Sequence, residues 1–222
     1  MFLTAGHCTE GVTTARVYFE QDAGAEFDPE LGYNPDTGYP LSGGVTSDEL
    51  YNYGFNDFQG FPNTRDVGLV ILDEPVLLDE YASLAVAGSL DELATRRGQQ
   101  EVTFTISGYG LSLTNPNVDV SFRERLMATT KLVNLRSALT SGFNLQLSAN
   151  PGGGRGGTCF GDSGGPVFYD ATNVIVAVTS FGLNANCRGV DFAYRTDQAD
   201  VIAWILEHAP ADERDDIQIV AI

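Results

Sequence analysis

Residues 159–166 read CFGDSGGP, a short segment with glycines on both sides of Ser163. These glycines let the backbone turn tightly and bring its amide groups close to the carbonyl of a bound substrate. A serine hydroxyl is a poor nucleophile alone, so it needs a base within hydrogen-bond reach, and the base needs a third group to orient it. The segment therefore predicts a nucleophilic serine whose partners lie elsewhere in the chain.

Few residues could serve as that base, because the sequence contains only two histidines. His208 lies late in a segment with helical spacing, beside Glu207, where a solvent-facing histidine at a helix C-terminus is the ordinary interpretation. His7 lies in the segment TAGHC, in which small residues lead from a strand into a turn. Taken alone, His7 fits a structural role as well as a catalytic one.

The candidate for the third group is Asp66, which begins the apolar run DVGLVIL. An aspartate before an apolar strand is usually just a turn residue. Its sequence neighbours are what make Asp66 a candidate to orient the base.

Three segments together resemble the trypsin/chymotrypsin family of serine proteases. Thr4–Cys8 is similar to the family's histidine motif, Asp66–Leu72 to its aspartate motif and Gly161–Pro166 to its serine motif. They occur in the family's order, and their spacing is compatible with one barrel that carries His and Asp and a second that carries Ser. The resemblance extends from residue 2 to about residue 206, although residues 20–63 match only loosely.

Two further segments resemble the family with a substitution in each. Ser107–Gly110 is similar to the strand and turn that open the second barrel, with Tyr109 where Trp is usual. Ser180–Gly182 resembles the edge strand that pairs with substrate backbone, with Phe181 in place of another Trp.

The resemblance implies a catalytic role for each matching residue. Ser163 would attack the scissile carbonyl, His7 would accept its proton, and Asp66 would hold the imidazole in the right tautomer. The backbone amides of Gly161 and Ser163 would form the oxyanion hole. The implied activity is a serine endopeptidase that needs no cofactor and no metal.

The resemblance also implies a disulfide between Cys159 and Cys187, flanking the pocket that binds the substrate side chain. The family's register places Gly157 at the pocket base, where an acidic residue would indicate cleavage after Lys or Arg, so ordinary trypsin-like specificity is not expected. If Asp191 points inward, a basic preference returns; if not, glycines such as Gly182 leave room for a large apolar side chain. The substrate-binding candidates are Gly157, Thr158, Ser180, Phe181, Gly182 and Asp191.

The resemblance implies an all-β fold of two six-stranded-type antiparallel β-barrels, the first incomplete, followed by a C-terminal α-helix. Short apolar runs separated by turn-forming residues agree with it, and residues 197–206 have helical spacing. A polar stretch at 84–100 is interpreted as a linker. We expect an N-terminal barrel in residues 1–92 that carries His and Asp, and a C-terminal barrel in residues 93–222 that carries Ser and the helix. The predicted strands are 2–5, 15–19, 67–72, 102–107, 126–133, 143–147, 166–169, 174–181 and 192–195, with one or two more within 20–63.

The charge balance limits the partners of the chain. Thirty acidic and twelve basic residues give a net charge of −18, which repels nucleic-acid phosphates and anionic membrane surfaces. No apolar run is long enough to cross a bilayer. The expected partner is a polypeptide substrate, and the protein is expected to be secreted and monomeric. The acidic residues between 20 and 30 could hold calcium, although solvated loop charge is the preferred interpretation.

The chain departs from the family pattern at its start. Two strands and a cysteine that would pair with Cys8 are missing before the histidine motif, which leaves Cys8 without a partner. We therefore expect the sequence to be a fragment, or to have a late-assigned start, of a longer secreted precursor. In the family, the position of Asp162 pairs with an N-terminal amine released by cleavage, and the matching segment is missing here as well.

Two other functions compete with this interpretation. A catalytically silent binding module on the same fold is the main alternative, although such relatives usually lose a triad residue and this chain has lost none. An esterase or lipase of the α/β-hydrolase type is disfavoured, because those enzymes carry their residues in the order Ser, Asp, His.

Overall fold

A computed structural model of the protein describes residues 1–93, 101–115, 118–121, 123–150 and 155–222. It is built mainly of β-strands, with one long helix near the C-terminus. In chain order the elements are β1 (Phe2–Thr4), α1 (Gly6–Thr9), β2 (Ala15–Val17), β3 (Val45–Ser47), β4 (Glu49–Asn52), β5 (Gly68–Ile71), β6 (Ser83–Ala85), β7 (Thr103–Gly108), β8 (Leu113–Asn115), β9 (Val118–Val120), β10 (Leu126–Asn134), β11 (Asn144–Ser148), β12 (Pro166–Tyr169), β13 (Val174–Gly182), β14 (Val190–Arg195), α2 (Ala199–His208) and β15 (Ile219–Val220).

Six strands of the second half form a closed antiparallel barrel. Their order is β12, β7, β10, β11, β14 and β13, and β13 pairs with β12 to close the sheet. The alternation of β7 shows why these residues form strands: Phe104 and Ile106 are buried, while Thr103 and Thr105 between them are half-buried. Apolar side chains that point inward fill the barrel. They include Leu132, Leu145, Leu147, Val167 and Val176.

The first half forms a smaller, open arrangement in the described residues. β5 lies between β1 and β4, and β2 pairs with β3 as a separate hairpin. A Cβ on Gly68 would lie 2.7 Å from the carbonyl oxygen of Ala5 and 2.8 Å from the side chain of Thr9. Glycine at the start of β5 therefore lets α1 pack directly on that strand.

A second apolar cluster joins the two halves. Ala5, Leu69 and Tyr53 of the first half pack with Val178 of the second barrel and Ile205 of α2. The ring of Tyr53 lies 5.2 Å from that of Trp204 in α2, and its hydroxyl donates a hydrogen bond of 2.7 Å to Asp200.

Short strands outside the barrel also connect the halves. β6 runs parallel to β13, so a strand from the first half extends the sheet of the second. β15 pairs in parallel with the other side of β6.

The predicted fold class is confirmed, and most predicted strands are present. Residues 20–63 contain the two strands β3 and β4, and the helix predicted at 197–206 is α2. The sequence did not predict α1, β6, β15 or the hairpin of β8 and β9. The proposed linker includes two residues of β6, and its residues 94–100 lie outside the described residues; the division of the chain near residue 92 stays a prediction. In the part of the chain that the structure describes, no helix has the length and apolarity needed to span a bilayer.

Candidate active site

Asp66 lies at the entrance to β5 with its side chain completely buried. The preceding residue, Arg65, has a φ of 54°, so the backbone is in the left-handed region immediately before the aspartate. A buried carboxylate needs hydrogen-bond donors to replace water. Asp66 finds three of them: the backbone amide of His7, the ring of His7 and the hydroxyl of Ser180.

His7 lies in α1, directly after β1, and its ring faces Asp66. Nδ1 is 2.9 Å from Oδ2 and 3.1 Å from Oδ1 of the aspartate. The backbone amide of His7 donates a further hydrogen bond of 2.8 Å to Oδ1. Main chain and side chain of His7 are thus both fixed to one carboxylate, while about a quarter of the side-chain surface stays exposed.

Electrostatics make this imidazole more basic. Burial lowers the pKa of His7, but the hydrogen bond to Asp66, together with a hydrogen bond to Cys8 and the charge of Asp66, raises it by more. The net pKa lies above the ordinary value of 6.5. The negative charge of Asp66 thus stabilises the protonated imidazolium that a general base becomes after it accepts a proton.

Ser163 is exposed at the tip of the turn that precedes β12. The next residue, Gly164, has a φ of 75°, and a Cβ there would lie 2.0 Å from Thr4 Oγ1 and 2.7 Å from the amide nitrogen of Ala5. Glycine at 164 is therefore what allows the turn to lie against the end of β1, just before His7. Ser163 Oγ forms no hydrogen bond with His7 or with any other described residue.

Hydrogen bonds also tie the same turn to β13. The amide of Gly164 donates to the carbonyl of Thr179 at 2.9 Å, and the amide of Thr179 donates to the carbonyl of Gly165 at 2.9 Å. The residue after Thr179 is Ser180, which contacts Asp66. The turn with Ser163 is thus next to both elements that hold the His7–Asp66 pair.

The backbone amides of Gly161 and Ser163 point to no acceptor in the part of the chain that the structure describes. Neither donates a hydrogen bond to any atom of the described residues, and both residues are exposed. Gly161 has a φ of 93°, a backbone conformation that favours glycine. A Cβ at that position would also lie 2.9 Å from the Cα of Gly110.

Asp162 holds this turn from beneath. Its Oδ2 accepts a hydrogen bond of 2.8 Å from the amide of Cys159, and its Oδ1 accepts one of 2.9 Å from the amide of Gly110. Burial raises the pKa of Asp162, and these two amides oppose that shift. The terminal amine of Met1 pairs with Glu213, at 2.8 Å, rather than with Asp162.

A cavity of about 320 Å³ borders Asp162. Its lining includes Gly108 and Gly110 on one side and residues 156–159 on another. A Cβ on Gly108 would lie 2.2 Å from Oδ1 of Asp162. Glycine at 108 therefore leaves room for the carboxylate.

The disulfide between Cys159 and Cys187 is present, with 5.2 Å between the two Cα atoms. It links the segment that precedes Ser163 to the loop between β13 and β14. Asp191 lies on β14 and accepts a hydrogen bond from the amide of Thr158 at 2.5 Å. Thr158 and Asp191 are therefore in contact, and a Cβ on Gly157 would lie 2.6 Å from Oδ2 of Asp191; their role in binding substrate stays a prediction.

An aromatic cluster covers the strand end that carries Ser180 and Phe181. The ring of Phe181 stacks on Phe192 at 4.5 Å and makes edge contacts with Phe58 at 5.5 Å and Phe61 at 5.8 Å. Phe55 connects the cluster to His7, with 5.7 Å between the ring centroids. Phe55, Phe58 and Phe61 were not predicted as part of the site, although three phenylalanines at a spacing of three residues are a visible signal in the sequence.

Comparison with known families places the chain in one of them. A model of the trypsin family matches residues 1–205, which is nearly the whole chain. The chain belongs to the trypsin family. The histidine, aspartate and serine segments described above all lie within the matched range.

Solved structures with the same fold include trypsin-family members of several kinds. HL collagenase is 20% identical, with a TM-score of 0.65, and the match covers 92% of this chain and 80% of that one. Human heparin binding protein is 18% identical, with a TM-score of 0.61 and coverage of 94% and 82%. A scabies mite inactivated protease paralogue is 17% identical, with a TM-score of 0.56 and coverage of 93% and 82%. At these identities, the likeness supports the trypsin-family fold alone.

Two other features of this trypsin-family chain concern metal and thiol chemistry. Within the described ranges, no group of three or more His, Cys, Asp or Glu side chains converges as a metal site. Cys8, next to His7, is a free thiol of intermediate exposure.

Proposed function

We propose that the protein is a serine endopeptidase that cleaves peptide bonds through an acyl-enzyme, with His7, Asp66 and Ser163 as its catalytic triad. The observation that carries the proposal is the pairing of His7 Nδ1 with the buried carboxylate of Asp66 at 2.9 Å. That contact fixes the tautomer in which Nε2 is free to accept a proton from a hydroxyl. We assign the exposed hydroxyl of Ser163 as the group that gives this proton to Nε2 of His7.

The proton transfers follow from this arrangement. Nε2 of His7 removes the proton of Ser163 as Oγ attacks the carbonyl carbon of the peptide. His7 then passes this proton to the leaving amine, and a water molecule repeats the sequence to release the acid. Asp66 keeps its negative charge throughout and stabilises the imidazolium in both steps.

The oxyanion that forms in each step requires donors that are already oriented. The amides of Gly161 and Ser163 are proposed to donate to it, and this is supported by their lack of partners among the described residues. Asp162 would act as a positioning residue, because its bonds to Cys159 and Gly110 restrain the turn that carries both amides. Loss of one donor of this kind typically costs about 100-fold to 1,000-fold in kcat.

We also propose a substrate class and a location for the enzyme. Its substrate would be a polypeptide, and the protein would be secreted, as the disulfide between Cys159 and Cys187 supports. We expect it to act as a monomer.

The alternative function is a binding module that has lost catalysis. The names of two similar structures favour it, since one is a heparin binding protein and another an inactivated protease. The absence of a hydrogen bond between Ser163 and His7 favours it as well. Binding of heparin itself is disfavoured, because a net charge of −18 repels an anionic polysaccharide.

Covalent labelling distinguishes the two functions. The protein and its Ser163→Ala variant are treated with a panel of serine-directed phosphonates and, separately, with a peptide library. The endopeptidase is expected to gain one phosphonyl group at Ser163 and to cleave peptides, whereas the variant does neither. Folded protein that is neither labelled nor active would contradict the proposal and support the binding module.

A further inference from the structure

The peptide group between Tyr109 and Gly110 is held at both of its polar atoms. Its carbonyl oxygen accepts a hydrogen bond of 2.6 Å from the hydroxyl of Tyr39. Its N–H group, which belongs to Gly110, donates one of 2.9 Å to Oδ1 of Asp162. A hydroxyl from the first half of the chain and a carboxylate of the serine turn (residues 160–164) therefore fix one peptide plane between them.

Leu111, the next residue, contacts the serine turn directly. Its amide donates a hydrogen bond of 2.9 Å to the carbonyl of Phe160. That carbonyl shares its peptide group with the N–H of Gly161, so the bond from Leu111 fixes the direction in which the Gly161 amide points. Gly110 packs against the same place, since a Cβ on Gly161 would lie 2.9 Å from the Cα of Gly110. The orientation of a proposed oxyanion donor thus depends on where residues 110 and 111 lie.

The first half of the chain also holds Tyr109 by its side chain. The hydroxyl of Tyr109 donates to the carbonyl of Glu20 and lies 3.2 Å from the carbonyl oxygen of Tyr18. The ring of Tyr18 in turn lies 5.6 Å from that of Tyr39. Main chain and side chain of Tyr109 are therefore both bound to the same part of the first half, and Tyr109 cannot shift without breaking these contacts.

Tyr39 is suited to act as a permanent donor. It is half-buried, and burial, followed by the negative charge of Asp162, raises its pKa to about 12. The hydroxyl therefore keeps its proton throughout the neutral range, and the carbonyl of Tyr109 always faces a donor rather than a negative charge.

We propose that Tyr39 is a positioning residue for the oxyanion donors of the endopeptidase. Its hydroxyl holds the 109–110 peptide, which restrains Asp162, and the adjoining amide of Leu111 orients the amide of Gly161. The inference rests on the proposed endopeptidase function and adds to it a residue that lies outside both the triad and the serine turn. Tyr39 acts through main-chain groups and has no part in the proton transfers.

A kinetic experiment replaces Tyr39 by phenylalanine, which keeps the ring and removes only the hydroxyl. Oxyanion donors stabilise the transition state rather than the bound substrate. We therefore expect Tyr39→Phe to lower kcat for a peptide substrate by at least about tenfold, with KM nearly unchanged. Tyr33→Phe, which alters an exposed tyrosine in the same part of the chain, is the matched control and should keep full kcat. An unchanged kcat in Tyr39→Phe, an equal loss in the control, or a loss confined to KM overturns the inference.

A pair of inhibitors isolates the effect on the oxyanion. Oγ of Ser163 adds to the carbonyl carbon of a peptide aldehyde while its proton passes to His7, so the carbonyl oxygen becomes an oxyanion. The corresponding peptide alcohol has no carbonyl and binds without this step. Tyr39→Phe should reduce the affinity advantage of the aldehyde by about tenfold and leave the affinity of the alcohol unchanged. An undiminished advantage, or equal losses for both inhibitors, overturns the inference.

Hydrogen exchange tests the contact without catalysis. In Tyr39→Phe the 109–110 peptide loses one of its two restraints, so the amide of Gly110 should exchange at least about tenfold faster, whereas Tyr33→Phe should leave its exchange unchanged. Unchanged exchange in Tyr39→Phe overturns the inference even if kcat falls. Folded, unmodified protein that neither cleaves peptides nor prefers the aldehyde overturns the endopeptidase function and this inference with it. An active protein whose Tyr39→Phe variant keeps its kcat overturns the role of Tyr39 alone.

Discussion

Ser180 donates a hydrogen bond from its hydroxyl to Oδ2 of Asp66, the same oxygen that lies 2.9 Å from Nδ1 of His7. Ser180 is 6% exposed and Asp66 is fully buried, so water does not readily replace this donor. Ser180 thus acts on the proposed base through the aspartate, as a positioning residue.

Removal of this donor should weaken both the fold and the site. We expect Ser180→Ala to lower the free energy of unfolding by about 1.5–3 kcal/mol, the usual contribution of a hydrogen bond to a buried charge. The pKa of His7 should rise further, because Asp66 loses a competing donor, and the acidic limb of kcat/KM should move to higher pH. Urea unfolding and pH profiles measure these effects. Ser141→Ala, which removes an exposed hydroxyl, should change neither, and a pH profile of Ser180→Ala like that of the unmodified protein would contradict the positioning role.

The three triad residues should act as a unit. We expect Ser163→Ala, His7→Ala and the double variant to reduce kcat by similar factors, each on the order of 10⁶, because loss of either residue already disables the nucleophile. Single-turnover assays with one peptide measure the losses. Losses that multiply in the double variant would show that the two residues act independently.

The pH profile should reflect the raised pKa of His7. Because only the neutral imidazole accepts a proton, kcat/KM should rise with pH, with a midpoint above 6.5. Asp66→Asn removes the charge that raises this pKa, so its midpoint should be lower, and its kcat should fall by about 10⁴. A midpoint at or below 6.5 in the unmodified protein would argue against a catalytic pairing of His7 with Asp66.

The same shift predicts how stability changes with pH. The folded-state pKa of His7 exceeds its unfolded value, so the contribution of the charged ring is fully present below pH 6.5 and is lost as the pH rises through the folded pKa. Urea unfolding at a series of pH values, with His7→Gln as the control, should isolate this contribution.

Gly164 offers a steric test of the serine turn. We expect Gly164→Ala to abolish activity, because its Cβ would overlap Thr4 and displace Ser163 from β1. Gly32→Ala is a matched control, since Gly32 has the same φ of 75° but no neighbour within 4 Å. The control should lose only about 1–2 kcal/mol of stability from backbone strain and keep full activity. Activity in Gly164→Ala equal to that of the control would refute the close packing.

The disulfide should stabilise the region around the pocket. Cys159 and Cys187 are 28 residues apart, and closing a loop of that size stabilises a fold by about 3–4 kcal/mol in the chain-entropy model. The variant with both residues replaced by serine should therefore unfold at a lower urea concentration, and its free energy of unfolding should be lower by that amount. Cys8→Ser controls for the loss of a thiol, and equal stability of the two variants would contradict the expectation.

The serine and histidine segments could be recognised from sequence because their residues carry chemistry that depends on local backbone shape. Gly161 and Gly164 both have positive φ, as the turn requires. The bond from Ser180 to Asp66 could not be predicted, since it depends on how β13 aligns with the serine turn. The orientation of Asp191 was left open for a similar reason. Which face of β14 carries its side chain depends on how β14 pairs with β13, where Asp191 lies opposite Gly182.

Residues 20–63 were difficult to predict for a different reason. Tyrosine hydroxyls rather than a regular apolar pattern hold much of this region in place. The hydroxyl of Tyr39 donates to the carbonyl of Tyr109 at 2.6 Å, and the hydroxyl of Tyr109 donates to the carbonyl of Glu20. The hydroxyl of Tyr18 donates to the carbonyl of Pro40. Such contacts have no period, so hydropathy predicts loops where the structure has an anchored segment.

Trp204 is the only tryptophan of the chain, and it packs between Tyr53 of the first half and His208 of its own helix. Its fluorescence is therefore a built-in reporter of the boundary between the two halves. Because β6 of the first half pairs with β13 of the second barrel, separation of the halves and melting of the barrel should coincide. A fluorescence transition that overlays the far-ultraviolet circular dichroism transition would identify the whole molecule as one cooperative unit.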